Sequence, residues 1–493
     1  MERPGRIDAQ LIELIGECCR GVRGTPMMDC DISAIGMQTR RDRRANASRG
    51  ARNKRDFAVQ RCLRWHEEPF PSRSIRGAPT AICRKARYKD AILKDFERLM
   101  QHEMQMILPE PDAASAAHSA CCAEYIHDRI RDAGGSISFA EYMHYALYAP
   151  GVGYYTAGAT KFGADGDFVT APEISPIFGR ILARQCAAVL DDVEHGSILE
   201  FGAGSGKLAA DLLRALDALD ALPDNYLIIE ISADLRERQE SYLRSEIGDL
   251  AKQVRWLDRL PDEHAGVVVA NEVLDALPVE RFVRRSGGIG QIRVAAEEHG
   301  FKLVEEPAPA ILTVAVENIE DDLGKKLPQG FASEVSLAAP GWIADISGTM
   351  KHGVAFLFDY GLSRREYYAV DRAGGWLRCH FRHHAHSDPL ILPGAQDLTA
   401  WVDFSGIATA AVSSGLEVAG YVTQAQFLLG GGLDEELKGL TEMPLEAQLE
   451  LSGQVKMLTL PGEMGENIKC LGLSRGPVRR PAALVNADRT HAL

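Results

Sequence analysis

The chain has 493 residues, with 55 Lys and Arg against 69 Asp and Glu, and 46% of its residues are hydrophobic. This composition excludes a wholly disordered chain and predicts a sizeable core. No run of about 18 apolar residues occurs, so the sequence predicts no membrane insertion. Ten cysteines are too sparse for a scaffold held together by disulfides.

The charge is distributed unevenly along the chain. Residues 1–110 hold 22 basic and 15 acidic residues, so the rest of the chain is strongly acidic. The stretch 40–55 is Arg-rich and nearly free of apolar residues, which is typical of a solvated, flexible segment. We therefore expect residues 1–112 to form a basic, disordered extension. The alternatives are a tail that binds nucleic acid and a mitochondrial transit peptide, although acidic residues near the start do not fit the latter.

From about residue 115, segments with strand patterns alternate with helical ones, which indicates a parallel α/β sheet. Residues 113–195 are mostly helical and are predicted to form an N-terminal cover. Residues 196–478 are predicted to form the core, with an antiparallel insertion at about 279–350 that includes the run ILTVAV. Residues 479–493 are expected to be a flexible tail.

A glycine-rich turn follows the first core strand. Gly202, Gly204 and Gly206 give the spacing G-x-G-x-G, whereas dinucleotide-binding turns have G-x-G-x-x-G. Glycines at such a turn allow the backbone to approach a ligand closely. Glu200 lies two residues before the turn, a form seen in methyltransferases that use S-adenosylmethionine (SAM). Structural packing of the glycines is the alternative interpretation.

Acidic residues follow two further strands. Glu230 ends the second core strand, where a carboxylate can accept hydrogen bonds from ribose hydroxyls, although a solvated strand end is the alternative. Asn271, Glu272 and Asp275 follow the fourth strand. Ligands bind at the carboxyl ends of strands in open α/β sheets, so these side chains could orient an amine. Asp275 could instead cap the next helix.

Two other polar segments are candidate sites. Asp167, Thr170 and Glu173 lie in a stretch without periodicity that also contains glycines, which suggests a functional loop. The segment 380–388 is rich in histidine but lacks the H-E-x-x-H spacing, so it predicts a surface loop and no metal site.

Together, these residues resemble the MidA-like family of class I SAM-dependent methyltransferases. The resemblance extends in order over residues 137–471 and includes LEFGAGSGKLAADLLR, LIIEISADLRERQ, ANEVLDALPVERF, FLFDYG and PGAQDLTAWVDFS. The chain departs from the family in reading Gly-Ala-Gly-Ser-Gly for Gly-Pro-Gly-Arg-Gly and Asn-Glu-Val-Leu-Asp for Asn-Glu-Phe-Phe-Asp. Because the glycines and the polar residues are kept, SAM binding should persist.

The resemblance implies an α/β fold with a Rossmann-like class I sheet, a helical N-terminal cover and an inserted antiparallel section. It implies SAM as the cofactor and a protein arginine side chain as the substrate. Tyr154 and Tyr155 could stack on that guanidinium or simply pack in the core. The residues implied at the site are Asn271, Glu272 and Asp275 for catalysis, and Glu200, Gly202, Gly204, Gly206, Glu230, Asp167, Thr170 and Glu173 for the cofactor, with no metal.

The sequence therefore predicts a SAM-dependent protein arginine N-methyltransferase, with a role in respiratory complex I assembly implied by the family. The alternatives are a nucleic-acid methyltransferase guided by the basic segment and a non-enzymatic SAM-binding assembly or scaffold protein. The expected partner is a protein substrate, for which the resemblance suggests a complex I subunit, and nucleic acid is not expected. The expected compartment is the bacterial cytoplasm or, alternatively, the mitochondrial matrix. The sequence leaves the oligomeric state open.

Overall fold

The computed structural model describes residues 108–156 and 169–493, so the Arg-rich stretch 40–55 and Asp167 lie outside the described residues. The strands, in chain order, are β1 (Ser136–Ser138), β2 (Ser197–Phe201), β3 (Tyr226–Ile229), β4 (Val254–Leu257), β5 (His264–Asn271), β6 (Glu280–Arg285), β7 (Gly288–Glu297), β8 (Gly300–Pro307), β9 (Ala332–Val335), β10 (Met350–Leu362), β11 (Leu377–Phe381), β12 (His384–His386), β13 (Asp397–Ala400), β14 (Val402–Asp403), β15 (Glu417–Thr423) and β16 (Ile468–Arg475).

The helices, in chain order, are α1 (Ala113–Asp132), α2 (Phe139–Tyr148), α3 (Ala171–Ile174), α4 (Pro176–Leu190), α5 (Lys207–Ala218), α6 (Ala233–Ile247), α7 (Ala310–Leu323), α8 (Ala339–Thr349), α9 (Arg364–Tyr367), α10 (Phe404–Ser413), α11 (Gln424–Gly430), α12 (Leu433–Glu436), α13 (Leu445–Thr459) and α14 (Met464–Asn467). Their ends follow from local sequence. Ser138, for example, caps α2 in a capping box with Glu141, and Pro176 occupies the first position of α4.

The largest sheet has the strand order β15-β16-β10-β5-β2-β3-β4, and β14 pairs with β10. All neighbouring strands are parallel except β16, which is antiparallel to both β10 and β15. Helices cover both faces, because the central strands are apolar on both sides. One core packs α4, α5 and α11 on the sheet, and a second packs α8 and α10 on its opposite face. The predicted Rossmann-like α/β fold is confirmed.

In the part of the chain that the structure describes, two smaller sheets accompany the main one. The first has the order β1-β7-β6-β9 with β8 on β7, so the N-terminal cover adds strand β1 to the strands inserted after β5. The second has the order β12-β11-β13 and contains most of the His-rich segment, which was predicted as a loop. None of the helices described here is long and apolar enough to cross a membrane.

The run ILTVAV was predicted as a strand, but it forms the start of helix α7. Leu312, Val316 and Ile319 recur at helical spacing and are buried against Phe282 of β6. Because this burial lines one face of a helix, tertiary packing outweighs the strand preference of the β-branched residues.

Residues 479–493 pack against the main sheet, whereas a flexible tail was expected. Ala483 and Leu484 are fully buried in the larger core. The backbone N–H of Arg489 donates to the carbonyl of Tyr421 at 2.7 Å. The prediction of a flexible tail was wrong because the apolar residues of this segment follow neither a helical nor a strand period.

Candidate active site

The glycine-rich turn joins β2 to α5 at the carboxyl end of the main sheet. Gly202, Gly204 and Gly206 have φ angles of +60°, +56° and +86°, which L side chains rarely adopt. A Cβ added at Gly202 would lie 3.4 Å from a methyl group of Val273, so this turn directly faces the segment that follows β5. The structure thus brings together two of the segments that the sequence singled out.

Glu230 lies directly after β3 and is 5% exposed. Its Oε1 accepts the N–H of Ser232 at 3.0 Å, and its Oε2 accepts Nε2 of Gln239 at 3.1 Å. Burial raises the pKa of Glu230, while these hydrogen bonds and Arg236 oppose the shift. Gln239 also reaches the glycine-rich turn, because its Nε2 donates to the carbonyl of Gly204 at 3.0 Å.

Glu200 is buried within the sheet, with only 2% of its surface exposed. Its Oε2 accepts a hydrogen bond from the hydroxyl of Tyr226 at 2.7 Å. Burial raises the pKa of Glu200 to about 7, the hydrogen bond from Tyr226 opposes the shift and the charge of Glu230 adds to it. The two predicted cofactor carboxylates therefore lie close enough to influence each other.

The short helix α3 connects the glycine-rich turn with the segment after β5. The hydroxyl of Ser205 donates to the carboxylate of Glu173, and Nζ of Lys207 donates to the Glu173 carbonyl at 3.0 Å. The backbone N–H of Ala171 lies near the carboxylate of Glu272 and opposes the rise of its pKa. Thr170 precedes α3 and makes no side-chain capping hydrogen bond.

Asn271 and Glu272 end β5 in an unusual backbone conformation. Glu272 has a φ of +53°, and its N–H donates to the carbonyl of Phe358 at 2.8 Å. Nδ2 of Asn271 donates to Oε1 of Glu272 at 3.3 Å, whereas Oδ1 of Asn271 is buried and has no partner among the described residues. Burial raises the pKa of Glu272 to about 8, and the charge of Asp275 adds to the shift.

Asp359 of β10 holds the segment after β5 in place. Its Oδ2 accepts the backbone N–H groups of Val273, Leu274 and Asp275 at 3.1, 2.8 and 3.2 Å, and its Oδ1 accepts that of Tyr360 at 2.8 Å. Asp359 is fully buried. Burial raises the pKa of Asp275 well above its usual range, and the charge of Asp359 adds to the shift.

Asp397 of β13 completes a group of four carboxylates, which we call the acidic cluster. Its Oδ1 accepts a hydrogen bond from the hydroxyl of Tyr155 at 3.0 Å, and its charge also raises the pKa of Asp275. The ring of Tyr155 stacks on that of Tyr148, with centroids 5.5 Å apart. The hydroxyl of Tyr148 donates to the carbonyl of Ala276 at 2.8 Å. The acidic cluster consists of Glu272, Asp275, Asp359 and Asp397.

Several features of this edge of the sheet fit SAM. The buried Oδ1 of Asn271 has no donor among the described residues, so it suits the ammonium group of the methionine portion. The carboxylate of Glu230 has acceptor capacity left for ribose hydroxyls. Ile231, next to it, is 63% exposed and offers an apolar surface to the base. Along this edge of the sheet, the side chains therefore suit the ammonium group, the ribose and the base of SAM in turn.

Comparisons with known proteins agree with this geometry. Residues 181–422 match a family described as "Putative S-adenosyl-L-methionine-dependent methyltransferase". A superfamily member from Burkholderia thailandensis, whose crystal structure holds S-adenosyl-homocysteine (SAH), is 40% identical with a TM-score of 0.74, and the match covers 78% of this chain and all of that one. Protein arginine methyltransferase NDUFAF7 of mouse is 30% identical over 69% of this chain and 81% of its own length. The human protein of that name is 29% identical over 69% and 80%.

The strand order, the glycine-rich turn and the carboxylate after β3 define a class I methyltransferase, and its cofactor is SAM. The SAH-bound relative supports the same conclusion independently, because SAH is the product left after SAM gives up its methyl group. Within this class, the chain belongs to the MidA-like family of SAM-dependent methyltransferases, the family of the mitochondrial relatives.

Sequence reasoning found part of this site and missed another part. Asp397 and Gln239 were not singled out, although each lies in a stretch that carried the family resemblance. Asp359 also lies in such a stretch, FLFDYG, and was not singled out either. A polar residue at the end of an otherwise apolar strand was the signal that could have indicated Asp359. Within the described residues, no group of three or more His, Cys, Asp or Glu could hold a metal ion.

Proposed function

We propose that this enzyme transfers a methyl group from SAM to an arginine side chain of a protein. The observation that carries the proposal is the acidic cluster, in which four carboxylates lie beside the glycine-rich turn. Relatives that share about 30% of the sequence are named protein arginine methyltransferases, which supports the same substrate class. SAM supplies an electrophilic methyl group bonded to a sulfonium sulfur.

Two carboxylates of the cluster are suited to hold the substrate. Asp359 is occupied by four backbone N–H groups, and Asp397 accepts hydrogen bonds from the hydroxyl of Tyr155 and from the N–H of Leu398. Glu272 and Asp275 each accept fewer hydrogen bonds than Asp359, and both lie in the segment after β5 that faces the glycine-rich turn, so we assign the guanidinium to this pair. Carboxylates bind this planar group through paired hydrogen bonds, which fix its orientation toward the methyl donor.

The electrostatics of the cluster favour a cation over a neutral ligand. Burial and the charges of other carboxylates in the cluster raise the pKa of both Glu272 and Asp275, so ionising both without a bound cation is unfavourable. A guanidinium would relieve this repulsion and would lower both pKa values. As the nitrogen is methylated, the substrate must lose a proton, and one of these carboxylates is in position to accept it.

The substrate proposal can be made finer. The family resemblance suggests a subunit of respiratory complex I as the methylated protein. The relatives are named as mitochondrial proteins, which suggests the mitochondrial matrix if the chain is eukaryotic and the cytoplasm if it is bacterial.

Quantitative mass spectrometry of arginine methylation tests the proposal. Cells that lack this gene are compared with the same cells carrying the wild-type protein or the Glu272→Gln variant. We expect at least one methylarginine site that is lost on deletion, restored by the wild type and absent with the variant. An unchanged arginine methylome together with normal SAH binding would contradict the proposal and would favour the scaffold alternative.

A further inference from the structure

We infer that Gln239 is a positioning residue that joins the two halves of the cofactor site. Its side chain is fully buried and lies in α6, and Gln239 is not among the residues expected to touch SAM. Nε2 donates to the carbonyl of Gly204 at 3.0 Å and to the carboxylate of Glu230 at 3.1 Å, so one amide group bridges the glycine-rich turn and the ribose-binding carboxylate.

The hydrogen bond from Trp256 of β4 identifies which end of this amide carries the oxygen. The indole Nε1 donates to Oε1 of Gln239 at 2.8 Å, and an indole nitrogen can only donate. The Gly204 carbonyl and the Glu230 carboxylate can only accept. Turning the amide over would therefore place its oxygen against these two acceptors and its NH2 group against the indole N–H of Trp256. The described arrangement is therefore the one that satisfies every partner.

Gln239 also packs directly under the turn. A Cβ added at Gly206 would lie 3.6 Å from Cα and from Cγ of Gln239, which is ordinary van der Waals contact. The aliphatic part of the Gln239 side chain therefore packs against the turn at Gly206, and its amide hydrogen-bonds the turn at Gly204. Displacement of Gln239 would shift the amino-acid end and the ribose end of the SAM site relative to each other, and small misplacements of binding groups are costly.

Calorimetric titration with SAH tests this inference without reference to any methylated substrate. Gln239→Met keeps the length of the side chain but removes all three hydrogen bonds. We expect it to bind SAH about 10- to 100-fold more weakly, at unchanged stoichiometry. Trp256→Phe is the matched control, because it removes the third hydrogen bond and leaves both contacts to the site, so its Kd should change by less than about threefold.

A second variant keeps the test decisive if Gln239→Met folds poorly. In Gln239→Glu, an ionised carboxylate would face Glu230 and the Gly204 carbonyl, whereas its protonated form keeps one donor and one acceptor. We expect its SAH affinity to recover as the pH falls, relative to wild type at the same pH. A Kd for Gln239→Met within twofold of wild type, or an identical pH dependence for Gln239→Glu and wild type, would overturn the inference. A purely structural role would lower Tm in the Met and Phe variants alike and leave Kd unchanged.

Discussion

At the scale of single residues, Glu272 combines two costly features. It is not glycine, yet its φ is +53°, and burial raises the pKa of its carboxyl group to about 8. Backbone conformations of this kind cost of order 1–3 kcal/mol and cluster at functional sites. This backbone conformation accompanies a carboxylate that accepts the amide of Asn271 and lies near the N–H of Ala171. We therefore expect Glu272 to govern the pH dependence of the enzyme.

If an ionised Glu272 binds the guanidinium, kcat/KM for the protein substrate should rise with pH and level off above about pH 8, since this ratio reports the free enzyme. Glu272→Gln should lower kcat/KM by about 100-fold and remove this inflection. Initial rates of SAH formation between pH 6 and pH 9.5 give both quantities. The exposed Glu298→Gln variant serves as the control, and an inflection that persists in Glu272→Gln would assign the titration to another group.

The same pKa shift affects stability. In the unfolded chain Glu272 has the ordinary pKa of 4.5, while in the folded protein it is about 8, so the folded state binds more protons between these values. The contribution of Glu272 to stability is therefore lost as the pH rises from about 4.5 to about 8 and stays constant above that.

The glutamine in Glu272→Gln cannot ionise. The difference in free energy of unfolding, variant minus wild type, should therefore be larger at pH 9 than at pH 5 by about 2 kcal/mol or more. Urea unfolding at the two pH values measures this difference. If stability depended on pH equally in the two proteins, the pKa of Glu272 would not be raised in the folded state.

Residue by residue, the sequence was informative where polar groups follow a strand. Asn271, Glu272 and Asp275 were predicted at the carboxyl edge, and the structure places them there. Asp359 and Asp397 reach the same place from 84 and 122 residues beyond Asp275, because other strands end at this edge. Such long-range convergence depends on strand order, which local patterns do not specify.

At the scale of elements, the end of β10 fixes the end of β5. Asp359 accepts hydrogen bonds from three successive backbone N–H groups after β5, so a side chain on one strand holds the backbone conformation that follows its neighbour. This arrangement resembles an anion held by a nest of amides, with the anion supplied by the protein itself.

Asp359→Ala should therefore disorder the segment that carries Glu272 and Asp275. We expect kcat for methyl transfer to fall by about 100-fold, because misplaced groups lose orientation, with a much smaller change in Kd for SAH. Asp359→Asn can still accept the three N–H groups through Oδ1 and should retain more activity than Asp359→Ala. Hydrogen exchange at residues 273–275 reports the backbone directly, and unchanged exchange in Asp359→Ala would refute the role.

Elements differed in how well the sequence predicted them. The unit of β2, glycine-rich turn, α5 and β3 was predicted closely, since its helix and strands have clear periods and glycines mark the turn. The start of α7 was predicted wrongly as a strand from its β-branched run, and the sheet of β11, β12 and β13 was not predicted. Short strands of three to five residues carry too few alternations to be distinguished from loops.

At the scale of the whole molecule, residues after the last strand complete the main core. The side chain of Leu484 is fully buried, and a Cβ added at Gly472 of β16 would lie 2.2 Å from its Cδ1. The backbone N–H of Ala483 donates to Oε1 of Gln185 in α4 at 3.0 Å. This segment therefore links the last strand of the sheet to a helix on its face.

Leu484→Ala should lower the free energy of unfolding by about 2–5 kcal/mol, because it removes a buried side chain and leaves a cavity. The neighbouring Val485 is 50% exposed, so Val485→Ala should change it by less than about 0.5 kcal/mol. Urea titration of the two variants beside wild type makes the comparison. Equal stability of the two variants would mean that residues 479–493 do not support the core.

The position of β16 has a consequence for how the protein is made. It pairs with β10 and β15 on its two sides, yet both of those strands precede it in the chain. During synthesis, β10 and β15 leave the ribosome with a gap between them that only residues 468–475 can fill. Until then each presents an unpaired backbone edge, which is a site for aggregation. The nascent enzyme should therefore depend on chaperones over the interval in which the chain grows from residue 362 to residue 475.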